Sequence, residues 1–363
     1  MLNNWFILSK AREGMAFASS DLQAFGNSLK NLSDFTAHPN SAQLALIGYE
    51  PTAADAIRSQ LYPLSMPWND LPMVDLGNLR KTDDNFAIQA LKAVLGHGLI
   101  RIVIGGPDLL LHTAYESFQE FEKRINLALI QDRLDQWMRT DYWREVCSGI
   151  QGHLHQFCII GHQSHFLSRD DNQFLNQWAL EELRLGDLHQ LPGNMEPCVR
   201  NADLIVMDMN AIRYSDAPGQ SRPNPNGLSG EEFCQLARYA GISEKSRAIA
   251  FHGFSYSTDP ASQTAQLLAQ AIWYFTDGVI NRKSDYPISS RHLTEYVVDL
   301  KDMDEQLRFW KSGLTGRWWV QLPAEDNGDT VNSEMIPCLF EDYQMASNEE
   351  ISDRIFRALR RLV

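Results

Sequence analysis

The feature that most restricts how this chain can fold is a series of short, mainly apolar runs bounded by Gly, Asn or Asp. They read LALIGY (44–49), MVDLG (73–77), IRIVIGG (100–106), INLALI (125–130), FCIIG (157–161), ADLIVMD (202–208) and RAIAFHGF (247–254). A run without polar alternation is a strand buried on both faces. Between the runs lie segments of helical length with 3.6-type apolar spacing, at 53–64, 84–98, 172–186, 230–241 and 264–282. Fully buried strands separated by helices predict a three-layer α/β/α sandwich around a doubly wound, mainly parallel sheet. Such sheets build their sites at the C-terminal ends of strands. The stretch IVIGGPDLLLH (102–112) has that form: three β-branched residues, a tight Gly105-Gly106 turn, and then Pro107-Asp108 at the strand's edge.

Composition bounds the partners. The net charge of −14 argues against nucleic acid as the main partner, because phosphate binding needs a basic face. No stretch approaches the ~20 apolar residues of a membrane span. The first fourteen residues hold only four consecutive strongly apolar ones, Trp5 to Leu8, too few for a secretory leader. Five scattered cysteines without a C-x-x-C pair fit neither a zinc site nor a disulfide framework. The expectation is a reduced, cytoplasmic protein forming one domain over 1–363, with a C-terminal extension (283–363) packed on it. In that extension TEYVVDL (294–300) reads as an edge strand, Trp318-Trp319 as core, and 348–363 as a closing helix with acids early and bases late.

Several residues invite a chemical reading. His162 and His165 follow a predicted strand, where a ligand or general base would stand, whereas His153 and His155 precede it. The four therefore cannot converge on one ion. His252 ends the last apolar run. Asp132 follows Gln131 and, by strand alternation, is expected at the surface or edge. No G-x-S-x-G, P-loop or G-x-G-x-x-G occurs to suggest a serine hydrolase, nucleotide or dinucleotide site.

In order, these strand ends resemble the ureohydrolase (arginase, agmatinase, formimidoylglutamase) family. AADAIRSQLYPL (53–64) is similar to its G-P-x-x-I-R-x-x-L-Y segment, and VDLGN (74–78) to its D-x-G strand end. IGGPDLLL stands where the family has G-G-D-H-S-L, and ALIQDRLD (128–135) where it has I-D-A-H-x-D. IVMDMNAIRYSDAPG (205–219) matches D-x-D-x-x-D-P-x-x-A-P-G, and NGLSGEEF (226–233) matches G-G-L-x-x-x-E. The resemblance covers about 44–282, and LHQFCIIGHQS (154–164) puts it nearest the formimidoylglutamase branch. It implies the arginase-like fold, a homo-oligomer, and two bridged manganese ions held by carboxylates and histidines that cleave linear amidine or guanidine C–N bonds.

Most of those metal positions are replaced here. Asp108 stands at the G-G-D-H site, Gln131 and Arg133 replace the Asp and His of I-D-A-H-x-D, and Asp135 remains. Asp208 remains in D-x-D, with Asn210 as its second member; Arg213 replaces the Asp of D-P, and the family's guanidino-binding Glu falls near Gly253. A guanidinium cannot ligate a metal. Arg133, paired with Asp135, Asp208 and Asp108, is therefore expected to replace the ions. The resulting expectation is a non-catalytic binding or scaffold protein with no metal, holding a small-molecule ligand in the old pocket. Two alternatives remain open. One is a hydrolase that uses manganese or magnesium on Asp108, Asp135 and Asp208, or Arg133 with His162 or His252 as base. The other is an anion-binding pocket anchored by Arg133 and Arg213.

Overall fold

The computed structural model describes residues 2–15, 24–68, 72–122, 124–134, 140–149, 152–178, 180–287, 291–300, 306–322 and 334–361. Each of the seven apolar runs becomes a strand. The main sheet comprises β1 (Phe6–Ile7), β2 (Lys30–Asn31), β3 (Leu44–Gly48), β4 (Met73–Leu79), β5 (Ile100–Gly106), β6 (Ile125–Ile130), β7 (Leu154–Ile160), β8 (Glu181–Leu183), β9 (Leu204–Asp208) and β10 (Ala248–His252). Its order is β1-β4-β3-β5-β10-β9-β6-β7-β8, with β2 also on β4. Only β1 runs antiparallel to its neighbour.

Alternate residues of each central strand enter different cores. Leu44, Leu46, Ile205 and Met207 pack on one side of the sheet, and Ala45, Ile47, Leu204 and Val206 on the other. This is why the runs show no polar alternation. The helices covering the sheet carry local start signals: Asp83 caps Asp84–Leu95 by accepting from the Phe86 N–H, and Ser229 with Glu232 forms a capping box for Gly230–Ile242. The latter helix packs on Gln263–Ile280 so closely that a Cβ at Gly241 would lie 2.1 Å from the Phe275 carbonyl oxygen.

The chain runs outward from β3 to β4 and returns to place β5 on the other side of β3. Strands β6, β7 and β8 continue that way, and β9 and β10 fill the gap between β6 and β5. The C-terminal ends of β5, β10, β9 and β6 therefore stand side by side at the reversal of strand order, where an open α/β sheet forms its crevice.

Two expectations need correction. Segment 172–186 is not one helix: a helix ends at Gln177, and Glu181–Leu183 pairs with β7 as the edge strand β8. Burial of Glu181 and Leu183 against neighbouring elements overrides a helical pattern. The C-terminal extension likewise does more than lie on the sheet. It forms its own antiparallel sheet of β11 (Leu293–Asp299), β12 (Gln306–Ser312), β13 (Trp318–Gln321) and β14 (Met335–Cys338). TEYVVDL is the edge of that second sheet. Trp318 and Trp319 are buried, the closing helix runs Asp353–Arg360 within the expected 348–363 with its acid early and bases late, and a further helix, Phe340–Ser347, precedes it. The extension has its own apolar cluster. It is tied to the main domain by Arg200, which donates to the Trp318 carbonyl at 2.6 Å, and by Arg361 on Glu181 at 2.9 Å. Among the described residues no helix is long and apolar enough to cross a membrane.

At the opposite, N-terminal edge of β9, burial pushes the Asp203 carboxyl up to about 6, despite Lys245 nearby and the Asn126 N–H donated to it. The native state therefore holds this proton more tightly than the unfolded chain, whose carboxyl titrates near 3.9. Stability contributed by the neutral acid is present below pH ~4 and declines by roughly 3 kcal/mol as pH rises through about 6. Asp203→Asn, which keeps an acceptor for the Asn126 N–H, is expected to raise the melting temperature at pH 8 and leave it nearly unchanged at pH 4. An equal shift at both pH values would contradict this.

Candidate functional site

The crevice is built from strand ends. After β9, Asp208 is fully buried and accepts hydrogen bonds at Oδ1 from the Asn210 N–H (2.9 Å) and the Asn210 side-chain amide (2.6 Å). Its Oδ2 accepts from Arg222 Nη2 at 3.0 Å. The same guanidinium nitrogen lies 3.9 Å from Oδ1 of Asp132, also fully buried. Arg222 is held in place from its backbone: its N–H donates to Asn210 Oδ1 at 2.7 Å, and the preceding Ser221 N–H donates to the Gly253 carbonyl at 3.1 Å.

Asp132 is not at the surface, contrary to expectation. β6 ends at Ile130, so strand alternation no longer governs where Asp132 points. Its Oδ2 accepts from Arg133 Nε (3.0 Å) and Nη2 (2.7 Å), and the Arg133 guanidinium lies over the Phe166 ring at 3.9 Å. Among the described residues, then, Arg133 pairs with its sequence neighbour Asp132 and not with Asp208 or Asp108. The central cation on Asp208 is Arg222. Asp135 lies outside the described residues. Gln131 is fully buried, its N–H donating to the Ile160 carbonyl at 3.0 Å.

His252, at the end of β10, is buried with Nδ1 3.9 Å from both Asp108 Oδ1 and Asp208 Oδ1. Asp108 is exposed in the turn after β5, and the neighbouring imidazole holds its carboxyl below the ordinary range against a smaller opposing effect of burial. Burial works the other way on Asp208, raising its carboxyl even though His252, the Asn210 N–H and Arg222 all favour the ionised form.

The remaining candidates fall elsewhere. His162 is buried against Glu182 of β8, with Nε2 3.1 Å from Oε2; its imidazole, together with Arg357, holds Glu182 at about 2 against the effect of burial. Glu182 lies on the outer edge of the sheet, away from β9 and β10. His155 pairs with Glu334 at 2.8 Å and His165 is exposed beside Phe166. Arg213 points to solvent and pairs with Asp216 at 2.9 Å, so it does not join Arg133 as a pocket anchor.

Beside the cluster opens a cavity of about 520 Å³ at the ends of β3, β5 and β10. Tyr49, Phe254 and Tyr256 give it aromatic walls, Ser221 and Gly253 touch the cluster, and Glu50 and Asp108 contribute carboxylates. No Lys, Arg or His is among its described lining residues. Sequence reasoning missed Arg222, although it sits in the long Pro/Gly/Asn-rich loop 215–227 that comes after β9 and the short helical turn Met209–Ala211.

This strand order, with its crevice between β5, β10, β9 and β6, is the ureohydrolase α/β fold. The chain is similar in structure to the formiminoglutamase of Trypanosoma cruzi solved with manganese (17% identity, TM-score 0.60, covering 69% of this chain and 98% of that one). It is also similar to the formimidoylglutamase of Bacillus subtilis (15%, TM-score 0.61, 76% and 99%). The agmatine ureohydrolase of Thermoplasma volcanium aligns at 20% identity, TM-score 0.54, over 73% and 96% of the two chains. No family model and no curated sequence matches.

Proposed function

We propose that this chain is a non-catalytic, ureohydrolase-fold binding protein that takes a small cationic ligand in the 520 Å³ cavity beside its ion-pair cluster. The observation that carries the reading is the lining itself: two carboxylates, Glu50 and Asp108, with aromatic walls and no described basic residue. An ammonium or guanidinium group gains from both, through charge and through the ring faces. The same lining disfavours an anion.

Loss of metal chemistry is supported by the donor set. Both Asp208 oxygens and one Asp132 oxygen already accept hydrogen bonds from Asn210, Arg222 and Arg133. Two fixed guanidinium charges repel a cation placed between them. Among the described residues no three His, Cys, Asp or Glu side chains are grouped to hold a metal ion. These residues do not fit a manganese pair.

The test has two arms. Protein purified without chelator, equilibrated with excess manganese and desalted is expected to carry far less than one ion per chain; about two ions would overturn the non-catalytic reading. In calorimetric titrations agmatine is expected to bind and succinate not, with agmatine binding lost in the Glu50→Gln/Asp108→Asn variant. Succinate binding in preference to agmatine would reverse the ligand assignment.

A second reading, a metal-free amidine hydrolase, draws on His252 between Asp108 and Asp208, a pairing that suits a general base. Turnover of formimidoylglutamate, agmatine or arginine that disappears in His252→Ala would favour it.

A further inference from the structure

We propose that a second cavity, at the N-terminal edge of the sheet and so at the opposite end of the strands from the crevice, binds a short acidic amino acid: two carboxylates and one ammonium group.

This cavity of about 280 Å³ opens where several strands begin. Arg124 and Asn126 stand at the start of β6, Asn201 shortly before β9 and Lys245 shortly before β10. The C-terminal extension closes it with Glu334 and Met335, at the start of β14. Pockets for drug-sized molecules run to roughly 300–1,000 Å³, so this one fits a smaller ligand.

Its charges set the sign of that ligand. Glu334 is engaged by His155 Nε2 at 2.8 Å. Arg124 is exposed, and Lys245 Nζ stands 4.0 Å from Asp203 Oδ2, beyond hydrogen-bond distance. Both cations therefore keep donors for a ligand. Two permanent positive charges against one lining carboxylate favour a molecule of net negative charge.

Two buried acceptors make the opposite demand. Asn126 and Asn201 line the cavity at 3% and 2% exposure, and neither amide oxygen accepts a hydrogen bond from a described residue. Their amide nitrogens are engaged, Asn126 with the Asn201 carbonyl and Asn201 with Gln156 Oε1, both at 2.9 Å. Buried acceptors left unmet are costly and uncommon. A plain dianion would add negative charge beside them and supply no donor. An ammonium group supplies up to three, for the amide oxygens and for Glu334. Carboxylates for Arg124 and Lys245 with an ammonium for the asparagine side describe an acidic amino acid. Because Glu334 comes from the extension and the other groups from the main domain, such a ligand also ties the two together.

L-Aspartate and succinate differ by that one ammonium group, and calorimetric titration of the full chain with each tests the assignment. L-Aspartate is expected to bind with a Kd of about 1 mM or tighter, and succinate at least ~10-fold more weakly. Arg124→Gln and Lys245→Gln should each weaken L-aspartate about tenfold. Arg124 is exposed, so its replacement leaves the fold intact and its effect reads the site directly. Agmatine in excess should leave L-aspartate binding unchanged, since the crevice lies at the other end of the strands.

No binding of L-aspartate, or full affinity in both variants, overturns the inference. Equal affinity for succinate would leave the amide oxygens to water alone and overturn the choice of ligand. Displacement by agmatine would put L-aspartate in the crevice and overturn the second site.

Discussion

Arg58→Ala is expected to destabilise the chain by about 3–5 kcal/mol at neutral pH, the cost of stranding a buried charge. Arg58 is fully buried under the N-terminal half of the sheet, donating from Nε and Nη2 to the two oxygens of Asp75, both at 3.0 Å. It also donates to the Gly77 carbonyl at 2.8 Å and to Asn78, while Tyr62 donates to Asp75. It thereby fixes the helix Pro51–Leu61, whose first turn lines the cavity, onto β4.

Burial alone would raise Asp75, but the charge and hydrogen bonds of Arg58, with those from Tyr62 and the Gly77 N–H, together outweigh it and hold the carboxyl below its ordinary range. The pair's contribution is thus complete above the unfolded carboxyl value of about 3.9 and is lost as pH falls through the lower native value. Without Arg58 the buried Asp75 is raised instead, and the variant weakens as pH increases. Urea unfolding across pH 3 to 8 should show the deficit smallest in acid and largest at neutrality. A deficit below about 1 kcal/mol at pH 7 would show that Asp75 finds another partner.

Gly253→Ala is the second change with a large expected effect. Gly253 has φ +75°, and a Cβ there would lie 2.2 Å from Asp208 Oδ1 and 2.7 Å from Asn210 Nδ2. The left-handed backbone costs an L side chain about 1–2 kcal/mol, and forcing apart a packed site costs about 1–3 kcal/mol more. We expect a loss of about 2–4 kcal/mol in urea unfolding, together with displacement of Asp208 from Asn210. Loss within 0.5 kcal/mol would mean that the cluster moves aside at little cost. The same geometry bears on the sequence resemblance: no side chain of any kind fits at 253 without moving Asp208, so the family's guanidino-binding Glu has no counterpart at that position.

The sheet was legible because burial on both faces leaves a plain signature in the chain. Strands β3 to β7, β9 and β10 each appear as mainly apolar runs without regular polar alternation, and the covering helices keep their caps and periodicity. Strand β8 was hidden because Glu181-Glu182-Leu183 has no strand signature. It pairs on one side only, with β7, and its acids are satisfied by Arg361, Arg357 and His162 from distant segments. The second sheet was read as one edge strand because β12 alternates charged and apolar residues, β13 and β14 have only four residues each, and their core forms by packing on each other and on the two C-terminal helices.

Sequence alone determined which residues arrive at the crevice by strand: Asp108, Gln131, Asp208, Asn210 and His252 each end a run or follow it directly. Residue types alone also set the expectation that the metal-site motifs are altered. Tertiary structure decided which charges meet. Asp132 and Arg133 lie past the end of β6, where alternation has lapsed, and Arg222 lies in a loop with no periodicity. Strand register sets side-chain direction through regular backbone geometry; beyond it, direction is set by long-range hydrogen bonds such as those that Asn210 Oδ1 and the Gly253 carbonyl accept from the Arg222 and Ser221 N–H groups. For that reason the cation on Asp208 is Arg222, fourteen residues along the chain, and not the arginine that the motif alignment placed there.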